Sequence, residues 1–164
     1  MYRYATETTV PVSRSRGEIE KLLRDWGCDQ LQWGDDYQRG RVELRFVWTH
    51  DKTTYVARFN LQLATEEQMR KEAIDQRDSS GKRIAETKLA RLRAGRGQQE
   101  HRVLLLWLKA ALNAVEAGIV DAAAIFLPFL EDREGVTVAE MALPRLHTLL
   151  EGSGKLLLSG KPER

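Results

Sequence analysis

The stretch from Gly40 to Leu63, GRVELRFVWTHDKTTYVARFNLQL, decides the fold, because apolar and polar residues alternate in it twice around a short polar break. Alternation with a period of two is typical of strands that bury one face. The pattern predicts strands over 40–49 and 53–63, joined by a tight turn at His50-Asp51. Two such strands in a row indicate an antiparallel hairpin with one apolar face.

One register satisfies both faces of this hairpin, and it predicts these cross-strand neighbours: Phe46 with Tyr55, Leu44 with Ala57, Val42 with Phe59 and, on the polar face, Glu43 with Arg58. Apolar pairs on one face and an opposite-charge pair on the other are what stabilise such a sheet.

Upstream, the sequence predicts a strand over 6–12, a helix over 16–26 and a short strand over 30–34. Ser15 and Glu18 have the spacing of a capping box, and Gly27 lies where a helix commonly ends in a left-handed residue. We therefore expect a strand and a capped helix before the three-stranded part of the chain.

Downstream, the sequence predicts a basic helix over 82–94, a break at Gly95-Arg96-Gly97, a strongly apolar core helix over 98–117, a segment over 122–130 interrupted by Pro128, and a last helix that begins near Thr137 and contains Pro144. Thr137 and Glu140 have capping-box spacing. The order of elements predicts an α+β fold, an antiparallel sheet of three to four strands packed against helices.

The domain organisation expected from length and composition is a single domain over 1–164. Residues 65–97 are highly charged and poor in large apolar side chains, which predicts a mobile, charged helical excursion before the core helix. Residues 152–164 predict a flexible tail.

The main chemical asymmetry is a basic cluster between residues 82 and 96, where six basic side chains accompany a single acid, Glu86. Its members are Lys82, Arg83, Lys88, Arg91, Arg93 and Arg96. Concentrated positive charge attracts phosphate, although a solvated helix on a linker has the same composition. No aromatic residue is interleaved with the cluster, so stacking of bases on this segment is not expected.

The polar face of the predicted sheet is a second candidate surface for phosphate. Arg41, Arg45 and Arg58 share it, and Trp33 or Tyr37 near the strand ends could stack on a base. The alternative is an ordinary solvent-exposed face that contains a Glu43–Arg58 pair.

Catalytic and metal-binding patterns are weak. The acids at Asp35, Asp36 and Asp51 occupy turn positions, where Asp is favoured for local hydrogen bonds, and His101 stands alone on a helix. Cys28 is the only cysteine, which fits a reducing compartment. We expect no enzyme activity, no cofactor and no metal, no membrane association, and a cytoplasmic location.

Three stretches, VPV at 10–12, SRGEIEKLL at 15–23 and LLLWLKAALNAVEAGI at 104–119, resemble a family of small uncharacterised proteins of bacteriophages and mobile elements. The resemblance covers most of the chain except 65–97 and the tail, and it implies a phage context without a known active site. The order helix, three strands, helix is also similar to that of double-stranded RNA-binding domains, as an analogy of fold alone.

Together these patterns favour a non-enzymatic nucleic-acid-binding accessory protein of phage or mobile-element origin, acting in replication, recombination or their regulation. DNA or RNA would be bound through phosphate contacts. The alternative is a phage-encoded inhibitor of a host defence or replication enzyme, with the sheet edge or residues 65–97 as the contact surface. The apolar core helix is also compatible with a homo-oligomer.

Overall fold

The computed structural model describes residues 8–36, 39–62 and 86–153, without the side chains of 86–93 and 147–153. The elements are α1 (Val12–Trp26), β1 (Gln30–Asp36), β2 (Arg41–His50), β3 (Thr53–Gln62), α2 (Glu86–Glu116), α3 (Ala122–Phe126), a short 3₁₀ turn (Leu127–Phe129) and α4 (Val138–Ser153). The three strands form an antiparallel sheet in the order β1-β2-β3. The predicted α+β class is confirmed.

The hairpin forms, but the predicted register is wrong by two residues. His50 pairs with Thr53, so the turn is Asp51-Lys52, and both turn residues have positive φ, 47° and 65°. Two successive left-handed residues match the twist of the flanking strands. Phe46 consequently faces Ala57 rather than Tyr55. Because the shift is an even number, each side chain keeps its predicted face.

Helix α1 begins earlier than predicted. It starts at Val12 after Pro11, so residues 8–11 form no strand, and residues 6 and 7 of the predicted strand lie outside the described part. The predicted capping role of Ser15 is wrong, because this residue is fully buried in the interior of the helix. Pro11 is the N-cap, and its carbonyl oxygen accepts hydrogen bonds from the N–H groups of Arg14 and Ser15, which closes the first turn at this earlier position.

The C-terminus of α1 agrees with the prediction. Gly27 adopts φ 103°, and its N–H donates to the carbonyl oxygen of Arg24. The N–H of Cys28 donates to the carbonyl oxygen of Leu23. These two bonds are the Schellman arrangement that satisfies the last carbonyl groups of a helix.

Helix α2 runs without interruption from Glu86 to Glu116, so the predicted break at Gly95-Arg96-Gly97 is wrong. The start of α1 lies against this part of the helix, where a Cβ added to Gly97 would meet Val12 Cγ2 at 3.7 Å. Packing of this kind overrides the weak helical propensity of glycine. The basic turns and the apolar turns of α2 therefore belong to one element.

The core lies between one face of the sheet and helices α1, α2 and α3. It is built by the following buried side chains: Ile19 and Leu23 from α1; Leu44, Phe46, Trp48, Ala57 and Phe59 from the sheet; Leu104, Leu105, Leu108, Ala111 and Leu112 from α2; and Phe126 from α3. Phe126 contacts the rings of Phe46 and Trp48 edge-on at centroid distances of 5.4 and 5.6 Å. The opposite face of the sheet presents its polar residues.

The chain after α3 runs beside β3 and leads into α4. The N–H of Glu131 donates to the carbonyl oxygen of Val56, and Leu130 forms an isolated bridge with Ala57. Thr137 and Glu140 form the predicted capping box: the Thr137 N–H donates to Glu140 Oε2 and the Glu140 N–H donates to Thr137 Oγ1. This arrangement covers part of the edge of β3 and fixes the start of α4.

Candidate nucleic-acid interface

The basic cluster lies partly on the first turns of α2. Lys88, Arg91 and Arg93 are helical, although their side chains lie outside the described part. Lys82 and Arg83 lie outside it altogether, as do residues 65–85 of the predicted excursion and 154–164 of the predicted tail. Arg96 is described, and its half-buried side chain lines a cavity between α2 and β3. The described members of the cluster thus share one helix that is anchored in the core.

The arginines of the sheet lie on the face opposite to α2, and two of them belong to an ion-pair network made by Arg45, Arg58, Glu43, Glu131 and Glu140. Glu131 Oε1 lies 3.2 Å from Arg45 Nη2 and 3.1 Å from Arg58 Nε. The side chains of Arg58 and Glu131 are only 11% and 7% exposed. Two arginines and three glutamates give the network a formal charge of −1, which does not attract phosphate.

Two further residues of the sheet are also engaged. Arg41 Nε donates to Asn60 Oδ1 at 3.0 Å. The ring of Trp33 packs against the core, its indole N–H donates to Glu20, and the guanidinium carbon of Arg16 lies 4.6 Å from its centroid. Trp33 therefore packs internally and does not project from the outer face. Tyr37, the other predicted stacking residue, lies outside the described part.

The Glu140 carboxylate connects this face to α4. A hydrogen bond from the Thr137 backbone is the main cause that holds the pKa of Glu140 below its usual value, burial opposes it, and the Thr137 side chain, Arg58 and Arg41 lower the pKa further. Glu140 also accepts a hydrogen bond from Arg58 Nη2. The same carboxylate thus caps α4 and attaches it to the sheet.

A polar group made by the buried His101 and the partly exposed Arg16 and Asp35 joins α1, β1 and α2. Arg16 donates to both carboxylate oxygens of Asp35 and, through Nε, to His101 Nε2 at 3.1 Å. The other ring nitrogen of His101 lies 2.7 Å from the carbonyl oxygen of Gly97. This pattern requires a neutral imidazole with its proton on Nδ1, and burial accordingly lowers the pKa of His101.

Two sequence assignments change at this group. Asp35 is not a turn residue: it lies in β1, and hydrogen bonding from Arg16 lowers the pKa of its carboxyl group. His101 is not isolated, because both of its ring nitrogens have partners. The group fixes the positions of three elements, and it meets α2 at Gly97 and His101, in the middle part of the helix.

The cavity between the end of β3 and α2 has a volume of about 580 Å³. Phe59, Trp107 and Phe129 line its apolar end, with ring centroids 4.2 to 5.4 Å apart. Its polar lining includes Asn60, Gln62, Arg96, Gln99 and Glu100. Burial raises the pKa of Glu100, and attraction to Arg96 partly opposes this effect.

The sequence did not predict this cavity. The apolar residues of α2 predict a helix buried in the core, yet Val103 and Trp107 are 44% and 37% exposed. The available signal was the spacing of Arg96, Glu100, Val103 and Trp107, which places them on one side of a continuous helix. If the helix were broken at Gly97, Arg96 would not belong to the same helix as the other three residues, and the spacing would not place them on one side.

Among the described residues, no cluster of three or more His, Cys, Asp or Glu side chains could hold a metal ion. Within the same ranges, none of the helices combines the length and the apolar character that crossing a bilayer requires. Burial raises the pKa of the Cys28 thiol, whose Sγ donates to the carbonyl oxygen of Gln30.

No family model, curated protein or solved structure matches this chain. The resemblance to phage and mobile-element proteins therefore stays a prediction from the sequence.

Proposed function

We propose that this chain is a nucleic-acid-binding accessory protein that contacts phosphates through the first turns of α2. The observation that supports this most directly is the continuity of α2, because the backbone positions of Lys88, Arg91, Arg93 and Arg96 are fixed on a helix anchored in the core. A preformed basic helix loses little entropy on binding. A role in replication, recombination or their regulation, in a phage or mobile element, belongs to the same proposal.

The proposed interface excludes the outer face of the sheet. Arg45 and Arg58 are neutralised by three carboxylates, and their release would leave Glu131 buried without its cationic partners. A phosphate would have to compensate for that cost before any net attraction appeared. The basic turns of α2 therefore form the proposed contact surface without help from Arg45 and Arg58.

The test is a salt titration of binding to labelled DNA and RNA oligonucleotides. The variant K88A/R91A/R93A removes three charges from α2, and the control R39A/R133A/R145A removes three exposed charges elsewhere. Each lost phosphate contact should lower the slope of log affinity against log salt by about 0.7–0.9. We expect the α2 variant to lose about 2 units of slope and more than about tenfold in affinity near 0.1 M salt.

The control variant should keep most of the wild-type slope. Equal losses in the two variants would show that net charge alone determines binding, which contradicts a site on α2. Absence of retention of any DNA or RNA at low salt would refute the proposed function.

A protein-binding role is the second candidate, and one observation favours it. Met141, Leu143 and Leu146 on α4 are 43%, 53% and 45% exposed. Exposed apolar side chains on one helix are typical of protein contacts. The inhibitor alternative predicts that one host protein is retained from nuclease-treated lysate and lost with L143S/L146S, while light scattering reports any self-association through the same residues.

A further inference from the structure

We propose that the contact between Arg16 and His101 is an acid-sensitive latch, which holds the first turns of α1 against α2 at neutral pH and releases them when His101 is protonated. Arg16 lies in the second turn of α1, and His101 lies in the middle part of α2. The latch is made by the fold itself, so it would act in the same way whether or not α2 binds nucleic acid.

In the closed state both ring nitrogens of His101 have partners. Arg16 Nε donates to His101 Nε2 at 3.1 Å, and Nδ1 of the ring lies 2.7 Å from the carbonyl oxygen of Gly97. Through Nη1 and Nη2, Arg16 also donates to the two carboxylate oxygens of Asp35. The ring thus supplies one acceptor nitrogen and one donor nitrogen, which only the neutral imidazole can do.

Protonation of His101 removes the acceptor that Arg16 uses. Both nitrogens of an imidazolium carry protons, so Nε2 would face the Arg16 N–H as a second donor and a second positive charge. His101 is only 1% exposed, so water does not screen the repulsion. Asp35 already accepts from Arg16 with both of its oxygens. A protonated ring is therefore incompatible with the closed arrangement, and the contact between α1 and α2 has to part.

The charges around His101 agree with this direction. Burial is the largest cause that lowers its pKa, the hydrogen bond with Gly97 raises it, Arg16 lowers it and Asp35 raises it. Burial raises the pKa of Glu100, the preceding residue of α2, so this carboxylate loses its charge earlier in acid than an ordinary glutamate. In the open state His101 is exposed and has its ordinary pKa of 6.5, so acid favours opening below that pH.

The opening should be limited to the first turns of α1. At this end Val12 lies against Gly97, where an added Cβ would meet Val12 Cγ2 at 3.7 Å. Further along α1, Glu18 Oε2 lies 2.8 Å from Arg102 Nη1, and this hydrogen bond is the largest cause that lowers the pKa of Glu18. The pair consequently stays ionised in mild acid. The next residue, Ile19, is fully buried in the core and anchors the rest of the helix.

The test is an NMR titration of the whole chain from pH 7.5 to 4. Three signals report on the latch: the His101 ring, the Arg16 Nε–H, and the nuclear Overhauser effect between Val12 and Gly97. We expect them to change with one common midpoint below pH 6.5, and the Val12–Gly97 effect to weaken at least about twofold as the open state becomes populated. The ring signals of Phe126, at the centre of the core, should stay unchanged.

Three variants separate the latch from a general effect of acid. Glutamine at position 101 can accept from Arg16 and donate to Gly97 at every pH, so His101→Gln should keep the Val12–Gly97 effect throughout the titration. His50→Gln changes an exposed histidine of the hairpin and should behave as wild type. Arg16→Met removes the donor and its charge, so the midpoint of His101 should move upward.

A Val12–Gly97 effect that persists while His101 titrates would overturn the proposal, as would a His101 ring that does not titrate down to pH 4. Loss of the Phe126 signals at the same midpoint would also overturn it, because the whole chain would then be unfolding. If H101Q does not fold, the wild-type titration and R16M still decide, since an unchanged or lower His101 midpoint in R16M contradicts the latch.

Discussion

Arg58 is the most constrained charged residue of the outer sheet face. It contacts Glu131 at 3.1 Å, it donates to Glu140, and its side chain is only 11% exposed. Truncation of one partner in a buried pair leaves the other charge without compensation, which costs more than the loss of a surface pair. We expect Arg58→Met to lower the free energy of unfolding by about 2–4 kcal/mol, measured by urea denaturation.

Arg39 supplies the matched control, because its pair with Asp36 is separated by 3.7 Å and its side chain is 83% exposed. Arg39→Met should change the free energy of unfolding by less than about 0.5 kcal/mol. Similar losses in the two variants would contradict the assignment of Arg58 to a buried network.

The buried side chain of His101 should make the free energy of unfolding depend on pH. Burial lowers its pKa from the ordinary value of 6.5, so the unfolded chain binds a proton more readily than the folded chain. Stability should therefore fall as the pH drops through 6.5 and level off below the lowered pKa of the folded state, with a slope of at most about 1.4 kcal/mol per pH unit. Urea denaturation between pH 7.5 and 5, compared in wild type and His101→Gln, measures this contribution.

The other titratable groups near His101 do not produce the same difference in stability between wild type and H101Q over this pH range. The pKa of Asp35 is lowered, so its contribution is lost only below its ordinary value of 3.8. The pKa of Glu100 is raised, so acid favours the folded state through this group, but the effect is present in both proteins and cancels in their difference. Identical pH profiles in wild type and H101Q would contradict a neutral, buried His101.

The sequence could predict these residues only in part. Alternation placed Arg45 and Arg58 on the polar face correctly, and it brought Glu43 close to Arg58, which the structure shows at 4.0 Å. Glu131 and Glu140 were beyond reach, because they follow α3 in the chain and arrive at the sheet only through tertiary packing. Local patterns contain no information on such distant partners.

Among the elements, α1 has one glycine within it, Gly17, and one at its C-cap, Gly27, and the two have opposite expected effects. Gly27 has φ 103°, where an added Cβ is strained, so Gly27→Ala should lower the free energy of unfolding by about 1–2 kcal/mol. Gly17 lies within the helix with nothing within 4 Å of an added Cβ, so Gly17→Ala should raise it by about 0.5–1 kcal/mol.

Thermal and urea denaturation of the two alanine variants measure this difference. A gain in stability from G27A would contradict the left-handed end of α1. A loss from G17A would indicate a close neighbour of that position.

Alternation of polar and apolar residues in β2 and β3 does not determine the register of the two strands. A shift of two residues keeps every side chain on its face, so the pattern predicts the faces of β2 and β3 equally well in either register. The turn decides between the registers, and Asp51-Lys52 lacks the glycine that usually marks a two-residue turn with positive φ. The same limit applies to α2, where glycine propensity predicted a break that packing against α1 prevents.

In the whole molecule, the two faces of the sheet contact the helices through different kinds of interaction. Helices α1, α2 and α3 bury one face through apolar contacts, whereas the start of α4 is attached to the other through the Arg58–Glu140 pair. Apolar packing is insensitive to charge, and so is the hydrogen bond from the Val138 N–H to the Leu130 carbonyl oxygen, but the Arg58–Glu140 contact depends on an ionised carboxylate. We therefore expect loss of the Glu140 charge to loosen the start of α4 and to leave the core unchanged.

Glu140→Gln tests this difference, because glutamine preserves a capping box while removing the charge that pairs with Arg58. Glu140 is 46% exposed, so the loss should be about 0.5–1 kcal/mol. Amide hydrogen exchange should accelerate in the first turn of α4 and stay unchanged in the core part of α2. Faster exchange throughout the chain would show instead that α4 and the core open together.

Because α2 is continuous, the number of residues between its basic turns and its core turns determines the direction in which the basic side chains point. Each residue of an α-helix turns the chain by about 100° and advances it by about 1.5 Å. One residue inserted between Arg96 and Leu104 would therefore rotate every basic side chain about the helix axis relative to the sheet, while their number and spacing stayed the same. Seven inserted residues would nearly restore the original direction, about 10 Å further out. The direction in which the basic turns point is thus set by the count of residues between them and the core.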